Sequence, residues 1–289
     1  MHRTLKTSDW FHPDGFPIKI ERREPQEEFG YHAHEFSEIV VITGGRAQHV
    51  VGRDTWPLLA GDVFVIGGSQ AHNYEELEAL QLVNVLFQPS RVNLELFDLP
   101  TLPGYHALFK LEPAWRKRHQ FKSRLHLQPK ELGVLLGLVD ALDTELESRA
   151  PGFHFLATTH FMQIVGYLSR CYSKSLNPDS RALLRIGEAI SHLETHFQEP
   201  VNLDELSAIA RMSKRSFLRA FQAATGSSPI AFLIKLRLNR AASLLRQDDA
   251  DITSIAFEVG FNDSNYFTRQ FRTIFGISPR VYRNVKRAA

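Results

Sequence analysis

The chain has 289 residues, of which 43% are apolar and 23% charged, and its formal net charge is only +2. This length and composition suit two globular domains with proper cores and exclude a disordered or low-complexity protein. The single cysteine, Cys171, excludes an intrachain disulfide and favours a reducing compartment. The sequence shows no signal peptide and no apolar run long enough to span a bilayer, so we expect a cytoplasmic protein with no membrane partner.

The first predicted elements, between residues 17 and 88, are short β-rich segments separated by Gly, Pro or charged turns. Spacing of this kind predicts a small antiparallel barrel, which can enclose one ligand. The predicted strands cover residues 17–24, 36–45, 47–58, 62–68 and 80–88.

Three histidines and three other polar residues on or near these strands mark a candidate ligand site. His32 and His34 share a strand face because side chains alternate along a strand, and Glu38 joins them if no bulge intervenes. Asn84 lies among apolar residues of the last strand, where a buried amide needs a hydrogen-bonding partner. The predicted ligand-binding residues are His32, His34, Glu38, His72, Tyr74 and Asn84.

These clusters resemble the two motifs of the cupin barrels. The first motif matches residues 32–45 and the second residues 61–72, where Gly67 replaces the usual proline and Ser69 a glycine. In metal-binding cupins the matching positions form a 3-His-1-carboxylate ligand set. The implied ligands are His32, His34, Glu38 and His72. Three interpretations stay open: a polar lining for a hydroxylated ligand with no cofactor, a divalent-metal site, and purely structural histidines.

Helical periodicity returns between residues 129 and 172. One predicted helix carries a narrow apolar seam, which fits either packing against the barrel or a dimer interface. The seam consists of Leu132, Leu135, Val139, Leu142 and Leu146. The polar stretch 173–180 contains Pro178 and is typical of a linker. The predicted organisation is a ligand-binding and dimerisation domain over residues 1–172, a linker over 173–180 and a second domain over 181–289.

The last third of the chain contains one pattern twice. Phe217 recurs as Phe267 after fifty residues, whereas Leu206 recurs as Ile255 after 49, so one extra residue lies in the second turn. Each copy has a short helix, a tight turn and a second helix, which is the helix-turn-helix pattern of DNA-binding proteins. Residues 229–246 predict one long helix that joins the two copies.

Capping residues delimit these predicted helices. Side chains that accept hydrogen bonds from free N–H groups stand at the predicted helix starts, and glycines stand at the ends of the second helix of each copy. The starts are Asn202, Ser213, Asp251 and Asp263, and the ends are Gly226 and Gly276. Each copy closes with a Ser-Pro pair that begins a third helix.

The outward faces of the second helices suit the major groove of DNA. The predicted base-contacting residues are Arg215, Leu218, Arg219, Ser264, Asn265, Thr268 and Arg269. The predicted phosphate contacts, which position the protein without selecting a sequence, are Lys214, Arg240, Arg272, Arg283 and Lys286. Residues 180–289 contain sixteen Lys and Arg against ten Asp and Glu, so the basic excess lies where the two copies are.

The double unit, with its GSSP and GISP closures and the sequence GFNDSNYFTRQFR, resembles the AraC/XylS family of bacterial transcription factors. The N-terminal half, through HAHEFSEIVVITGG, GDVFVIGG and LVNVLF, is similar to the sensing domain of the L-rhamnose operon regulators. The resemblance implies an activator of carbohydrate-catabolic genes that binds double-stranded DNA, a small sugar-like effector and RNA polymerase. It also implies dimerisation through the helices after the barrel, and base contacts by Arg215 and Arg219 in the first copy and by Asn265, Thr268 and Arg269 in the second.

The expected fold is α+β: an N-terminal cupin-like β-barrel with a helical dimerisation segment, and a C-terminal all-α domain of two helix-turn-helix units joined by a long helix. One competing class is an enzyme, a metal-dependent cupin oxygenase or sugar isomerase that carries a DNA-binding module. No acid–base constellation accompanies the histidine cluster, so no catalytic residue is assigned and a non-enzyme is expected. A ligand-independent architectural DNA binder is a third class, but it would fill the barrel with large apolar side chains.

Overall fold

The computed structural model describes residues 3–116, 124–175, 177–247 and 250–287. The chain forms two compact units, Met1–Gly187 and Glu188–Ala289. The first combines a mostly antiparallel sheet with helices, and the described part of the second is helical, which confirms the predicted α+β class. No helix in the described ranges is both long and apolar enough to cross a membrane.

Antiparallel strands dominate the first unit. Its strands are β1 (Arg3–Leu5), β2 (Ile18–Arg23), β3 (His32–His34), β4 (Ser37–Val51), β5 (Asp54–Leu59), β6 (Asp62–Ile66), β7 (Asn73–Phe87) and β8 (Leu125–His126). The main sheet has the order β2-β7-β4-β6-β8, and β5 pairs with β4. β1 and β3 form a separate parallel pair, and a single bridge joins His32 to His72. The last two contacts bring the N-terminal segment and the first histidine cluster to the edge of β7.

Strands β4 and β7 are longer than the sequence pattern predicts, with 15 residues each. The prediction of a strand end at Gly45 is wrong, because β4 continues through this position to Val51. Gly45 has a φ of +68°, and a Cβ atom there would collide with the carbonyl oxygen of Ala79 on β7. Register shifts between Ile42 and Gln48 absorb the irregularity, so the glycines produce bulges rather than a turn.

Helices surround this sheet. They are α1 (Thr7–Trp10), a 3₁₀ turn (Leu99–Thr101), α2 (Pro103–Tyr105), a π-helical segment (His106–Leu111), α3 (Glu112–Arg116), α4 (Pro129–Ser148) and α5 (Phe153–Ser173). The middle residues of the predicted seam, Leu135, Val139 and Leu142, are fully buried, and α4 packs against α5. Arg22 on β2 forms ion pairs with two aspartates of α4 at 2.7 and 2.9 Å. The centre of the seam therefore serves packing within the chain, one of its two predicted uses.

Helix α6 (Pro178–Thr195) contains the boundary between the two units. The predicted linker, residues 173–180, overlaps the end of α5 and the first turn of α6. The division falls after Gly187, later than the predicted domain start at 181. Gly187 approaches α2 so closely that a Cβ atom there would lie 2.5 Å from the carbonyl oxygen of Pro103. The first half of α6 thus packs as part of the first unit.

The second unit contains the two predicted copies. Its helices are α7 (Leu203–Ile209), α8 (Lys214–Thr225), α9 (Pro229–Gln247), α10 (Ile252–Glu258), α11 (Ser264–Phe275) and α12 (Pro279–Arg287). We call α7–α8 the first module and α10–α11 the second module. Four residues separate the helices of the first module and five those of the second, which confirms the extra residue in the second turn.

The predicted caps are confirmed. At each of the four predicted starts the side chain accepts hydrogen bonds from backbone N–H groups of the first turn, and both predicted end glycines have positive φ. The starts are Asn202, Ser213, Asp251 and Asp263. The inward faces of α8 and α11 each carry two fully buried phenylalanines: Phe217 and Phe221 on α8, and Phe267 and Phe271 on α11. Each module is therefore defined by local caps and an aromatic core.

A set of contacts that we call the central clamp holds the second module against the segment that enters the first. The clamp consists of Arg237 on α9, Gly260 in the turn of the second module, and residues 197–199. The guanidinium of Arg237 donates hydrogen bonds of 2.6 Å to the carbonyls of both Phe197 and Glu199. A Cβ atom on Gly260 would lie 2.6 Å from the carbonyl oxygen of Gln198. The two modules are thus tied together by backbone contacts as well as by α9.

Candidate functional site

The first candidate surface is the outward face of α8. Arg215 and Arg219 are exposed one turn apart, and Leu218 beside them is half-buried. The helix begins at the capped residue Ser213, so both arginines lie in its first half. A guanidinium offers a planar fork of N–H donors, which matches the O6 and N7 acceptors of guanine. This face therefore has the chemistry for reading bases.

The outward face of α11 repeats this arrangement with different side chains. Asn265 and Arg269 are exposed, whereas Ser264 and Thr268 are half-buried. The guanidinium of Arg269 lies 5.9 Å from the ring centre of Tyr266 in the preceding turn, within the range of a cation–π contact. An asparagine amide can bond both N6 and N7 of adenine. The second module thus presents a different set of donors and acceptors from the first.

The five predicted phosphate contacts differ in their surroundings. Lys214 is exposed and lies 2.9 Å from Asp204, and Arg272 is exposed near the end of α11. By contrast, Arg240 pairs with Glu194 at 3.3 Å, and Arg283 donates a hydrogen bond of 2.6 Å to a backbone carbonyl, that of Ala250. The side chain of Lys286 lies outside the described residues. Arg240 and Arg283 therefore have partners within the unit, which the sequence pattern did not indicate.

The second candidate site is a pocket in the first unit, with a volume of about 460 Å³ including its open mouth. Of the six predicted ligand-binding residues, His32, Glu38, His72, Tyr74 and Asn84 line it. His34 does not line the pocket, and its side chain is buried beneath it against Glu38. The structure thus brings all six predicted residues to one region.

The histidines of this region have a common hydrogen-bonding pattern. In each, ring atom Nδ1 lies within 3.3 Å of a backbone carbonyl two residues away. The acceptors are Gly30 for His32, Phe36 for His34 and Gln70 for His72. A carbonyl oxygen only accepts hydrogen bonds, so Nδ1 carries the hydrogen and donates it, and Nε2 is left for other contacts. For two of them, His34 and His72, that contact is Oε1 of Glu38, at 3.4 and 3.2 Å.

Burial and charge set the protonation of this cluster. Burial, helped by the neighbouring His72, lowers the pKa of His32 to about 4. Burial also opposes charge on His34, but the Glu38 carboxylate outweighs it and raises the pKa of His34 above its ordinary value. The same pairing overcomes the burial of Glu38 and lowers its pKa well below the ordinary range. The cluster therefore combines a neutral pocket-lining imidazole, His32, with a buried ion pair.

The predicted set of four metal ligands is only partly assembled. Ligand atoms of His34, Glu38 and His72 all lie within 4.8 Å of one another, and His32 is outside this group. The ring centre of His32 lies 4.4 Å from that of His72 but 6.5 Å from that of His34. His32 bridges to His72 at a strand edge, and its ring is tilted against that of His72 and lies outside the ligand group.

Sequence reasoning missed several residues of this region. Leu5 and Trp10 reach the pocket from the N-terminal segment, and Glu21, Arg23 and Gln26 reach it from β2 and its following turn. No local signal marks them, because they join the pocket only through tertiary contacts between distant segments. His49 was also missed, although it lies in a predicted strand. It is buried and packs against His72 and Tyr74, with ring centres 5.6 and 5.4 Å away.

Two family models match the parts of the chain that contain these candidate sites. A model described as a helix-turn-helix domain matches residues 206–284, and one described as an AraC-like ligand binding domain matches residues 17–165. The chain belongs to the AraC family. The HTH-type transcriptional activator RhaS of Escherichia fergusonii is 32% identical over 290 residues, with 99% of this chain and 98% of the relative covered. The activator RhaR of Mannheimia succiniciproducens is 27% identical and covers 97% of this chain and 96% of its own.

A solved structure, that of the DNA-binding domain of AdpA in complex with a target DNA, is 34% identical in sequence. It covers 36% of this chain and 94% of its own, with a TM-score of 0.35. The named relatives are transcriptional activators, so this AraC-family member is a DNA-binding transcriptional regulator and not an enzyme. The competing interpretation as a metal-dependent cupin enzyme is therefore set aside.

Proposed function

We propose that this AraC-family regulator activates carbohydrate-catabolic genes by binding a specific DNA site through both modules, under the control of a small sugar-like effector. The observation that carries the proposal is the pair of capped helices, α8 and α11, whose exposed faces carry arginine and asparagine on one packed unit. The resemblance to the L-rhamnose operon regulators makes L-rhamnose the first effector to test.

The proposed base contacts follow from exposure and hydrogen-bonding chemistry. Arg215 and Arg219 of the first module, and Asn265 and Arg269 of the second, are exposed and carry forked or bidentate polar groups. Leu218 and Thr268 are half-buried beside them and suit apolar contact with a thymine methyl group, and Ser264 is placed for a weaker contact. Each well-formed bidentate contact is worth about 1–3 kcal/mol of discrimination between bases.

The proposed phosphate contacts include fewer residues than the sequence predicted. Arg272 is exposed, and Lys214 is held only by a surface ion pair, which is worth about 0–1 kcal/mol and is easily exchanged for a phosphate. For Arg240 and Arg283, binding phosphate would cost their contacts with Glu194 and Ala250. We therefore assign these two residues to holding the helical unit together, and keep Lys286 as a sequence-based prediction.

The proposed effector is a neutral, polyhydroxylated molecule with one apolar face. The pocket lining combines hydrogen-bond acceptors with aromatic and aliphatic surface. The acceptors are Glu38, Asn84, His32 and His72, and the apolar surface comes from Leu5, Trp10, Phe29, Phe36 and Leu86. The Oδ1 atom of Asn84 has no hydrogen-bonding partner among the described residues, as expected for an acceptor that meets a ligand hydroxyl.

The proposed assembly is a homodimer that contacts RNA polymerase, as the family resemblance implies. Since the centre of the apolar seam of α4 is buried against α5, the seam is not available to a partner. The exposed face of α4 carries Gly133, Val134 and Gly137 instead, and these small side chains permit close approach of a second helix. We place the dimer contact on this face, which analytical ultracentrifugation of Val134→Glu and of the wild type would test.

The DNA part of the proposal is tested with Arg215→Ala. Against a library of duplexes, the variant should lose about 1–3 kcal/mol of binding free energy and its base preference at one position. Arg280→Ala is the matched control, because Arg280 is exposed on α12 of the same unit but outside the two faces. If both variants weaken binding to all sequences equally, Arg215 is a phosphate contact and the proposed reading by α8 is wrong.

The effector part is tested by operator footprinting and transcription with a panel of aldoses, ketoses and deoxysugars, beginning with L-rhamnose. At least one sugar should change DNA affinity or transcription by about 5- to 150-fold, the usual range of allosteric coupling. Asn84→Ala should weaken that response, whereas Asn73→Ala, on the same strand but outside the pocket lining, should retain it. The absence of any sugar response over the panel would contradict the effector proposal and leave DNA binding untouched.

A further inference from the structure

The orientation of the buried histidines sets up an unusual contact. His34 and His72 each direct Nδ1 at a backbone carbonyl, so Nε2 of both rings is turned toward Oε1 of Glu38. An imidazole whose Nδ1 carries the hydrogen presents a lone pair at Nε2, and a carboxylate oxygen also presents lone pairs. Two acceptors repel each other in a buried site unless a cation or a proton lies between them. The geometry therefore requires a positive centre, which is either the proton of the His34–Glu38 ion pair or a metal ion that replaces it.

Metal-bound histidines usually have the same hydrogen-bonding pattern. A ligating imidazole almost always donates its other ring N–H to a carboxylate or backbone carbonyl, which holds the tautomer and the ring orientation. Both His34 and His72 have this support. In addition, Nε2 of His34 and Oε1 of Glu38 are buried and form no regular hydrogen bond among the described residues. With a metal ion in place of the shared proton, these atoms are placed to serve as ligands.

The distances agree with coordination of one ion. Metal–ligand bonds of about 2.0–2.2 Å place neighbouring ligand atoms about 3.0–3.5 Å apart in tetrahedral or octahedral geometry. The observed separations from Oε1 of Glu38 are 3.4 Å to His34 and 3.2 Å to His72. All three ligand atoms lie within 4.8 Å of one another, and the two imidazole nitrogens must come within about 3.5 Å of each other for tetrahedral coordination.

We propose that His34, Glu38 and His72 bind a divalent transition-metal ion beneath the effector pocket, and that this ion holds hydroxyl groups of the effector. The contact between the ion and the effector rests on the proposed function. Two imidazoles and one carboxylate favour first-row metals such as zinc, iron, cobalt or nickel over magnesium or calcium, which prefer oxygen ligands. Three protein ligands leave coordination positions open, as sites that bind a further ligand do.

The open positions face the effector. Glu38 and His72 both line the pocket, whereas His34 lies beneath it, so an ion bound by all three would be reached from the pocket side. Neighbouring hydroxyl groups of a sugar are oxygen ligands that could complete the coordination. His32 is a wall of the pocket in this arrangement and not a ligand, which separates the site from the four-ligand set suggested by sequence spacing.

The first experiment uses the metals alone. The full-length protein is stripped with EDTA, dialysed and titrated with Co²⁺, which gives visible absorption when bound by nitrogen and oxygen ligands in a low-symmetry site, and with Zn²⁺ in competition. One equivalent of Co²⁺ displaced by Zn²⁺ is expected, and metal analysis of untreated protein should show bound metal. If the wild type binds no metal stoichiometrically, the proposal is overturned and the positive centre is a proton on the His34–Glu38–His72 cluster.

Variants then locate the ion. Loss of an outer-shell partner alone lowers metal affinity about 10- to 100-fold, so Glu38→Gln and His72→Gln should lower Co²⁺ affinity by more than about 100-fold. His32→Gln is the matched control, being a pocket histidine outside the ligand group, and should retain the affinity and the cobalt spectrum. Circular dichroism checks that each variant is folded. Equal loss in His32→Gln would overturn the three-residue assignment, and retention in Glu38→Gln would place the metal elsewhere.

The role in effector binding is tested by calorimetry with L-rhamnose and the sugar panel, on metal-free and Zn²⁺-loaded protein. The proposal expects at least tenfold tighter sugar binding when the metal is present. Equal sugar affinity in both forms would overturn the effector contact through the metal while leaving the proposed function intact. Metal binding without any sugar response in either form would contradict the proposed effector and would leave only the metal site.

Discussion

Replacement of Gly260 by alanine adds a single atom, Cβ, to the central clamp. Gly260 has a φ of +91°, where a residue with a side chain is strained by about 1–2 kcal/mol. The added Cβ would also lie 2.6 Å from the carbonyl oxygen and 2.8 Å from the Cα atom of Gln198, and overpacking of this kind costs about 1–3 kcal/mol. We therefore expect the free energy of unfolding of the helical unit to fall by about 2–5 kcal/mol.

Gly276 supplies a matched control for the strain. Its φ is +77°, and a Cβ atom there would meet nothing within 4 Å. Gly276→Ala should therefore cost only the backbone strain, about 1–2 kcal/mol. The difference between the two variants, about 1–3 kcal/mol, measures the contact with Gln198. The altered clamp should also weaken binding to a DNA site that engages both modules more than binding to either half alone.

The positions of the tryptophans make the assay specific. Trp10, Trp56 and Trp115 all precede residue 188, so tryptophan fluorescence reports on the first unit, whereas far-ultraviolet circular dichroism reports on the helices of both. In urea titrations of the full chain, Gly260→Ala should lower the midpoint of the transition seen only by dichroism by about 1 M or more. Equal shifts for Gly260→Ala and Gly276→Ala would refute the clamp.

Three further predictions concern the same helical unit and use the same titration. Arg211 has a φ of +53° at the turn position that a glycine occupies in the second module, so Arg211→Gly should raise stability by up to about 1 kcal/mol; a lower midpoint would contradict this. Arg237→Met removes two charge-assisted hydrogen bonds to the 197–199 segment and should cost about 2–4 kcal/mol, and full rescue by Arg237→Lys would show that the forked geometry is unimportant. Hydrogen bonds from backbone N–H groups of α11 lower the pKa of Asp263, so its charge stabilises the fold above the ordinary aspartate pKa of about 3.9 and loses this effect as the pH falls further. The stability difference between wild type and Asp263→Asn should therefore shrink between about pH 4 and pH 2, and a difference that stays constant to pH 2 would rule out the charge.

Local sequence predicted the helical unit well, because its decisive interactions span only a few residues. The caps at Asn202, Ser213, Asp251 and Asp263 each bond N–H groups two or three residues away, so a short motif contains both partners. The same holds for the extra residue in the second turn, which is visible as a change in repeat spacing. The exposed faces of α8 and α11 follow directly from helical periodicity.

Strand boundaries could not be predicted in the same way, because pairing partners are distant in the chain. The glycine pair at Gly45 predicts the end of a strand. In the structure, Gly45 instead lies in a bulge within a 15-residue strand, against Ala79 of β7. The two possible uses of the seam on α4 were likewise indistinguishable until α5 covered Leu135, Val139 and Leu142. A residue's own type does not reveal which surface will cover it.

Local sequence patterns identify the class of the protein, two helix-turn-helix modules with capped ends and a histidine-bearing strand domain, since those features repeat or lie within a few residues. Which polar groups meet depends instead on contacts between distant segments. In the folded chain, Arg240 and Arg283 contact partners within the helical unit, and Trp10 lines the pocket. His34 and His72, and not His32, group with Glu38. This grouping depends on how β3, β4 and β7 approach one another and not on spacing along any one strand.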